Sequence, residues 1–287
     1  MSFEPPIPTP HNQHLLIDID GTLIDETYSL TSEAIFNSIE ELQECGWTIH
    51  LSSDSSIELM THWASTLGIN GSLVAEKGSV LHHDGEVILD QAHYDSFREI
   101  RQDIVSRIQA QHPGCSIWEG EPVQELLGQP THASPGEHVV LINAYRRCSF
   151  GLFVRSVDND GKYVMSEDMC AQILDTAREA LPEDLDIDDN PEYGLLILAN
   201  QQANKRAGTL RLMDILGLVE VGMVGNSITD FIGNDIARHY AVSNTTPEFR
   251  TVADYTSDQS VTKGVVDIIR RLTAASVQEH PPSTHPR

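Results

Sequence analysis

Between residues 14 and 80 the chain alternates short apolar runs with amphipathic segments. The order is strand, helix, strand, helix, strand, which requires a parallel sheet joined by right-handed crossovers. "HLLIDID" (14–20) has the β-branched, apolar character of a strand buried on both faces. "TSEAIFNSIEELQECG" starts at a Ser/Thr cap, spaces its apolar residues three and four apart, and stops at Gly46. "WTIHLSS" predicts a second strand, "SSIELMTHWASTLG" a second helix ending at Gly68, and "SLVAE" a third strand. After Gly78 the rhythm breaks. "SVLHHDGEVIL" predicts a hairpin turning at Asp84-Gly85. A helix over 93–111 follows, then a Pro/Gly-rich stretch over 113–136. "HVVLINAY" and "SFGLFVRSV" predict strands, 167–180 a helix, and "LDIDDNPEYGLLILA" two strands joined by a Pro-containing turn. From residue 204 the first rhythm returns: "NKRAGTLRLMDILGL" as helix, "EVGMVG" as strand, "TDFIGNDIARH" as helix and "YAVSN" as strand. "TPEFRTVA" and "VTKGVVDIIRRL" predict helices flanking a short strand at "DYTS". The fold class expected is therefore α/β: a Rossmann-like parallel-sheet core from residues 14–81 and 201–274, interrupted by an α+β insertion over 82–200. Residues 1–13 and 275–287 are expected to be mobile tails.

Charge narrows the partners. The chain carries 18 basic and 43 acidic residues, a formal charge of -25, and has no Lys or Arg before Lys77. That field repels phosphate backbones and anionic lipid, so neither nucleic acid nor membrane is an expected partner. No apolar run reaches membrane-spanning length, and "MSFEPPIPTPHNQ" lacks the basic start and apolar core of a signal peptide. Cys45, Cys115, Cys148 and Cys170 show no paired metal or redox spacing and read as reduced thiols of a cytoplasmic protein.

The chemistry concentrates in "LLIDIDGTLID" (15–25), where an apolar run ends in two carboxylates, Asp18 and Asp20, before a turn at Gly21. Alternate strand residues point to one side, and the carboxyl ends of parallel strands are where open sheets place ligands. Two acids there repel unless a cation neutralises them or one holds a proton. One can then serve as a metal-bound nucleophile and the other as a general acid. Thr22 and the backbone N–H groups beyond Gly21 are available to donate to an anion.

The same stretch resembles the first motif of the haloacid dehalogenase (HAD) superfamily of phosphohydrolases, an apolar strand followed by D-x-D-G-T-L. The downstream order resembles its Cof-like branch, in which a large α+β cap is inserted after the third strand. "IHLSSDSS" occupies the second-motif strand, with Ser52 at the phosphate-binding Ser/Thr position and Ser53 beside it. "AEKGSVLHHDGEVI" is similar to the hairpin leading into the cap. "ANKRAGTLRLMDILGL" is similar to the helix carrying the third-motif lysine, here Lys205. "VGMVGNSITDFIGNDIA" is similar to the fourth motif. The resemblance implies a magnesium-dependent phosphomonoesterase for a small phosphorylated metabolite, a sugar or polyol phosphate, acting as a monomer or homodimer. It implies Asp18 as nucleophile and Asp20 as acid and base. Substrate would be held by Gly21, Thr22, Ser52, Ser53 and Lys205, and magnesium by Asp18, Asp20, Asn226 and Asp230.

Two departures stand out. Asn226 occupies the place of a metal-binding Asp, with Thr229 for the Asn before Asp230, and Asp54 occupies the place of an arginine. They admit two alternatives to the phosphatase: a sugar phosphomutase, or a catalytically silent binding or regulatory protein. In the insertion, Arg146, Arg147 and Arg155 cluster on or beside two strands, either to meet an anionic group or, the commoner case, in surface ion pairs. His82 and His83 fall in the hairpin, and Asp186, Asp188 and Asp189 read as a solvated acidic turn.

Overall fold

The computed structural model describes residues 7–122, 133–183, 185–190 and 194–279. Much of the Pro/Gly-rich stretch, the Pro-containing turn near 191 and the outer parts of both expected tails lie outside the described residues. Up to residue 89 the elements are β1 (His14–Ile17), α1 (Ala34–Glu44), β2 (Thr48–Ser52), α2 (Ile57–Leu67), β3 (Leu73–Ala75), β4 (Val80–His83) and β5 (Glu86–Leu89). The middle holds α3 (Gln91–Gln111), β6 (Cys115–Gly120), β7 (His138–Asn143), β8 (Ser149–Val157), β9 (Tyr163–Met165), α4 (Glu167–Arg178), β10 (Leu185–Asn190) and β11 (Leu195–Asn200). The last third holds α5 (Lys205–Leu216), β12 (Val221–Gly225), β13 (Ala237–Ala241), α6 (Pro247–Val252), β14 (Tyr255–Thr256) and α7 (Val261–Glu279). Two compact units result: residues up to Ile88 together with those from Asn204 onward, and Leu89–Ala203 between them.

The first unit is built on one sheet, in the order β14-β13-β12-β1-β2-β3-β4-β5. The run from β14 to β3 is parallel throughout, and β4 turns back antiparallel on β3. β1 lies in the middle because the chain builds outward from it in one direction first and then, from β12, in the other. Its flanks are therefore a topological switch point. Leu15, Leu16 and Ile17 are wholly buried, which is why the run tolerates no polar residue before Asp18. Helix ends follow local chemistry: the Ser56 side chain caps α2, and Gly68 closes it in the left-handed region. Asp84 and Gly85 both have positive φ, the geometry of a two-residue type I′ hairpin turn between β4 and β5.

The second unit is a mixed sheet in the order β10-β11-β8-β7-β6, with β9 beside β8. Helices α3 and α4 cover one face through Phe97, Ile104, Ile108, Ile173 and Ala177, packed on Val140, Phe150 and Leu152 of the sheet.

Several expectations change. "TDFIGNDIARH" forms no helix: a single 3-10 turn spans Ile228–Asp230, Gly233 takes φ +101°, and β13 starts at Ala237. Asp230 is wholly buried, bonded to backbone and to Lys205, so its neighbourhood follows that contact rather than helical periodicity. Asp186 and Asp188 lie in strand β10, paired with β11, rather than in a turn. β6, inside the stretch expected as loop, and β9 are further strands. Arg146 and Arg155 are buried, not at the surface. Ile7 is buried, Tyr240 donates its hydroxyl to the Pro8 carbonyl at 2.6 Å, and α7 runs to Glu279, so the structured part extends past both expected tail boundaries. The four cysteines are free thiols. Among the described residues no helix is long and apolar enough to cross a membrane.

One packing contact governs where α5 begins. Glu76, Lys77 and Gly78 adopt three consecutive left-handed conformations, costly for the two non-glycine residues. This turn brings Gly78 against Gly208 of α5 with no side chain between. A Cβ on Gly208 would collide with the Gly78 backbone and lie 2.7 Å from Val74. Gly208→Ala, which by helix propensity alone would stabilise α5 by about 1 kcal/mol, is expected instead to destabilise by about 1–3 kcal/mol through overpacking. Denaturant unfolding of the two proteins measures the sign, and a more stable variant would show that the backbones part freely.

Candidate active site

The site forms where β1, β2 and β12 end. The Asp18 N–H donates to the Val224 carbonyl at 2.9 Å, carrying the β1–β12 pairing one residue past the strand. Asp18 is thereby held in the interior, 4% exposed. Its Oδ2 accepts from the Thr22 hydroxyl at 2.8 Å and its Oδ1 from Lys205 Nζ at 2.7 Å. Lys205 is the first residue of α5, an unfavourable place for a cation beside the helix dipole. Its ammonium is offset by two carboxylates, since Nζ also donates to Asp230 Oδ1 at 2.6 Å. Asp230 Oδ2 in turn accepts from the Asn226 and Ser227 N–H groups at 2.9 and 3.0 Å, closing the turn that follows β12. Gly225 is needed here because any Cβ would collide with the Asp230 carboxylate.

Asp20, two residues beyond Asp18, is exposed, whereas Asp18 is buried. Its Oδ2 accepts from the Ser53 hydroxyl at 3.1 Å and the Ser55 hydroxyl at 2.9 Å. Ser52, the last residue of β2, follows the Ile17–Leu51 pair in register and so falls beside Asp18. Its hydroxyl is sealed from solvent and has no hydrogen-bond partner among the described residues. The N–H groups past Gly21 are not free for an anion. Those of Thr22, Leu23 and Ile24 all donate to the Ile19 carbonyl, and that of Gly21 to the Ile24 carbonyl. The Asn226 side chain packs on Gly21, whose carbonyl accepts from Asn244 Nδ2 at 2.7 Å. Thr229 is exposed and faces only Ser227.

A family model described as haloacid dehalogenase-like hydrolase matches residues 15–119. Phosphoglycolate phosphatase 1 of Saccharolobus solfataricus is 24% identical over 263 residues, covering 90% of this chain and 94% of its own. A phosphoglycolate phosphatase of Methanothermobacter thermautotrophicus is likewise 24% identical, over 90% and 97%. A solved haloacid dehalogenase-like hydrolase from Bacteroides thetaiotaomicron shares the fold, with a TM-score of 0.68 at 16% identity over 90% of this chain and 98% of that one. Over residues 15–119 the chain thus resembles haloacid dehalogenase-like hydrolases in sequence, and over nine-tenths of its length it shares their fold.

Lys205, Asp18, Asp230, Asn226, Thr22 and Ser52 converge from four separate segments. Ser55 and Asn244 join them unforeseen: Ser55 had no signal beyond a Ser-rich loop, and Asn244 none. Electrostatics is the site's main tension. Burial, with the Asp230 carboxylate adding to it, pushes the Asp18 carboxyl up to about 8, against the pull of Lys205. Burial also disfavours the Lys205 charge, but Asp18, Asp230 and Asp54 outweigh it and hold the ammonium well above its ordinary range. Desolvation raises the Asp20 carboxyl, with Asp54 adding to it, while the Ser55 and Ser53 hydroxyls and Lys205 oppose the rise. One lysine thus serves two buried carboxylates with two more acids nearby, a surplus of negative charge that a cation would relieve.

The donors suit a hard cation: the Asp18 carboxylate, neutral oxygens of Asp20 and Asn226, and no sulfur or nitrogen. Among the described residues no group of three or more His, Cys, Asp or Glu is arranged to hold a metal, so such a cation depends on the amide and carbonyl oxygens. Both Asp230 oxygens are already engaged, by Lys205 and by backbone, which makes it a support for Lys205 and the turn before it is a direct ligand.

The raised Asp18 carboxyl fixes a sign. The unfolded chain ionises Asp18 near 3.8 and the folded chain near 8, so the folded state binds more protons between those values and loses stability as pH rises through them. In chelator-treated protein, Asp18→Asn should therefore stabilise, with a gain growing from about pH 4 to about pH 8 and reaching roughly 1–4 kcal/mol. Thermal and urea unfolding across that range measure it. A pH-independent or destabilising substitution would contradict the charge surplus.

Proposed function

We propose that this phosphatase is a magnesium-dependent phosphomonoesterase that acts through an aspartyl-phosphate on Asp18. The observation that carries the reading is the buried Asp18 carboxylate, clamped by Lys205 and Thr22 beside the partnerless Ser52 hydroxyl. An Asp18 oxygen bonds phosphorus as the ester oxygen leaves, and Asp20 gives that alkoxide its proton. Asp20 then takes a proton from water, whose oxygen bonds phosphorus and releases Asp18 as carboxylate. Ser53 and Ser55 both bind Oδ2 of Asp20, leaving Oδ1 to carry the proton. An ammonium has three donors, and Lys205 spends two on Asp18 and Asp230. The third, with the Ser52 hydroxyl, serves the phosphoryl oxygens. Asp18, the Asp20 carbonyl and Asn226 would hold magnesium, which when bound neutralises charge on the phosphoryl group. On this reading residues 14–81 and 201–274 are the catalytic core and 82–200 the cap, in a cytoplasmic monomer or homodimer.

The substrate is a small phosphomonoester. Phosphoglycolate stands ahead of sugar and polyol phosphates because relatives covering nine-tenths of the chain bear that name. Phosphate release from a panel of these esters, with and without magnesium, tests the reading. Release should need magnesium and fall at least about 10³-fold in Asp18→Asn. Equal background from both proteins would leave a silent binding protein, the reading that Asn226 and Asp54 favour.

Asn226 brings an oxygen without a charge, so Asn226→Asp should tighten magnesium roughly tenfold. Calorimetric titration of the metal into both proteins is the check. Unchanged affinity would remove Asn226 from the ligand set.

A further inference from the structure

The second unit contains a buried cation with no carboxylate partner among the described residues. Arg146 lies in the turn between β7 and β8 and is 9% exposed. Its Nη1 donates to the Ser149 hydroxyl at 2.9 Å, a neutral partner. Its Nε is sealed from solvent and has no acceptor among the described residues. Guanidinium offers five N–H donors and stays charged at any pH a protein survives. Burying it without an anion is unfavourable. In a chain with 43 acidic residues against 18 basic ones, a carboxylate partner would be easy to supply.

The fold makes room for this arrangement. Phe150, Leu152 and Val154 of β8 point into the helix-covered core, so Ser149, Gly151 and Phe153 point to the other face. The Arg146 side chain lies across Gly151, where a Cβ would stand 2.8 Å from Nε and 3.2 Å from Cδ. Gly151 therefore clears the bed on which the guanidinium rests. Arg155, on the same face, differs: its Nη1 is spent on the Val154 and Gly194 carbonyls, and it lies over the Phe153 ring.

We propose that Arg146, bedded on Gly151 with Ser149 beside it, is a binding position for a small oxyanion, a carboxylate above all. The planar fork matches a carboxylate in two-point contact, and the Ser149 hydroxyl orients it.

Full-length protein is to be melted in acetate and in chloride at matched ionic strength. Wild type should show a saturable rise in Tm with acetate. Arg146→Met should lose the response, Arg146→Lys should weaken its half-saturation by about tenfold, and Gly151→Ala should lose it while keeping the charge. Near-UV circular dichroism identifies any variant that fails to fold, and the lysine variant then carries the test. No acetate response in wild type, or an equal one in Arg146→Met, overturns the proposal. A second arm separates two sources of the carboxylate and alone rests on the phosphatase reading. A KM rise in Arg146→Met for phosphoglycolate but not for p-nitrophenyl phosphate makes the group the substrate's own. An unchanged KM alongside the lost Tm response makes it a free anion. Failure of all hydrolysis would count against the phosphatase reading without touching the melting result.

Discussion

A single ammonium group shared by two buried carboxylates joins the segments of this site. Lys205 sits at the start of α5, Asp18 at the end of β1 and Asp230 in the turn after β12, 187 and 25 residues from the lysine in sequence. Removing the lysine would leave two buried carboxylates without a cation, at a cost of about 3–5 kcal/mol. The rest of the local architecture serves that contact. Gly225 leaves space for the Asp230 carboxylate, and Gly78 against Gly208 lets α5 approach β3. The strained left-handed turn at Glu76 and Lys77 makes the approach, and the Glu76 N–H ties it to the Ser55 carbonyl.

The distribution of charge here is unusual for the superfamily pattern that the chain otherwise follows. An acid is absent at Asn226 and one is present at Asp54, which adds to the field on both Lys205 and Asp20. The site therefore keeps its count of acids while losing a cation. Its surplus negative charge lies around Asp18 and is only half answered by Lys205. Burial and the neighbouring acids keep the Asp18 carboxyl from ionising freely, and that tension costs stability as pH rises.

Much of this was legible in the residues because it rests on local periodicity and short motifs. The buried β1 run, the caps of α2 and the Asp84-Gly85 turn each reflect nearest-neighbour chemistry, while Ser52 and Lys205 were legible only through the resemblance to an ordered set of family motifs. The misreadings share a cause. "TDFIGNDIARH" has helical spacing, yet Asp230 is held by a lysine from another segment and Gly233 breaks the run. Asp186 and Asp188 look like a turn in isolation, but β11 recruits them into a ladder. The N–H groups after Gly21 looked available to an anion until the chain folded back and spent them on Ile19.

By itself the amino-acid order determined the class of fold, the insertion between two halves of a parallel sheet, and the paired carboxylates Asp18 and Asp20 at the end of the first strand. Those follow from hydrophobic period and residue type, properties of a few consecutive positions. Only the tertiary structure decided that Asp18 is buried while Asp20 meets solvent, that one ammonium answers two acids, and that Arg146 lies buried over Gly151 instead of pairing at the surface. Burial and charge compensation are set by which distant segments meet, and no local pattern encodes that meeting.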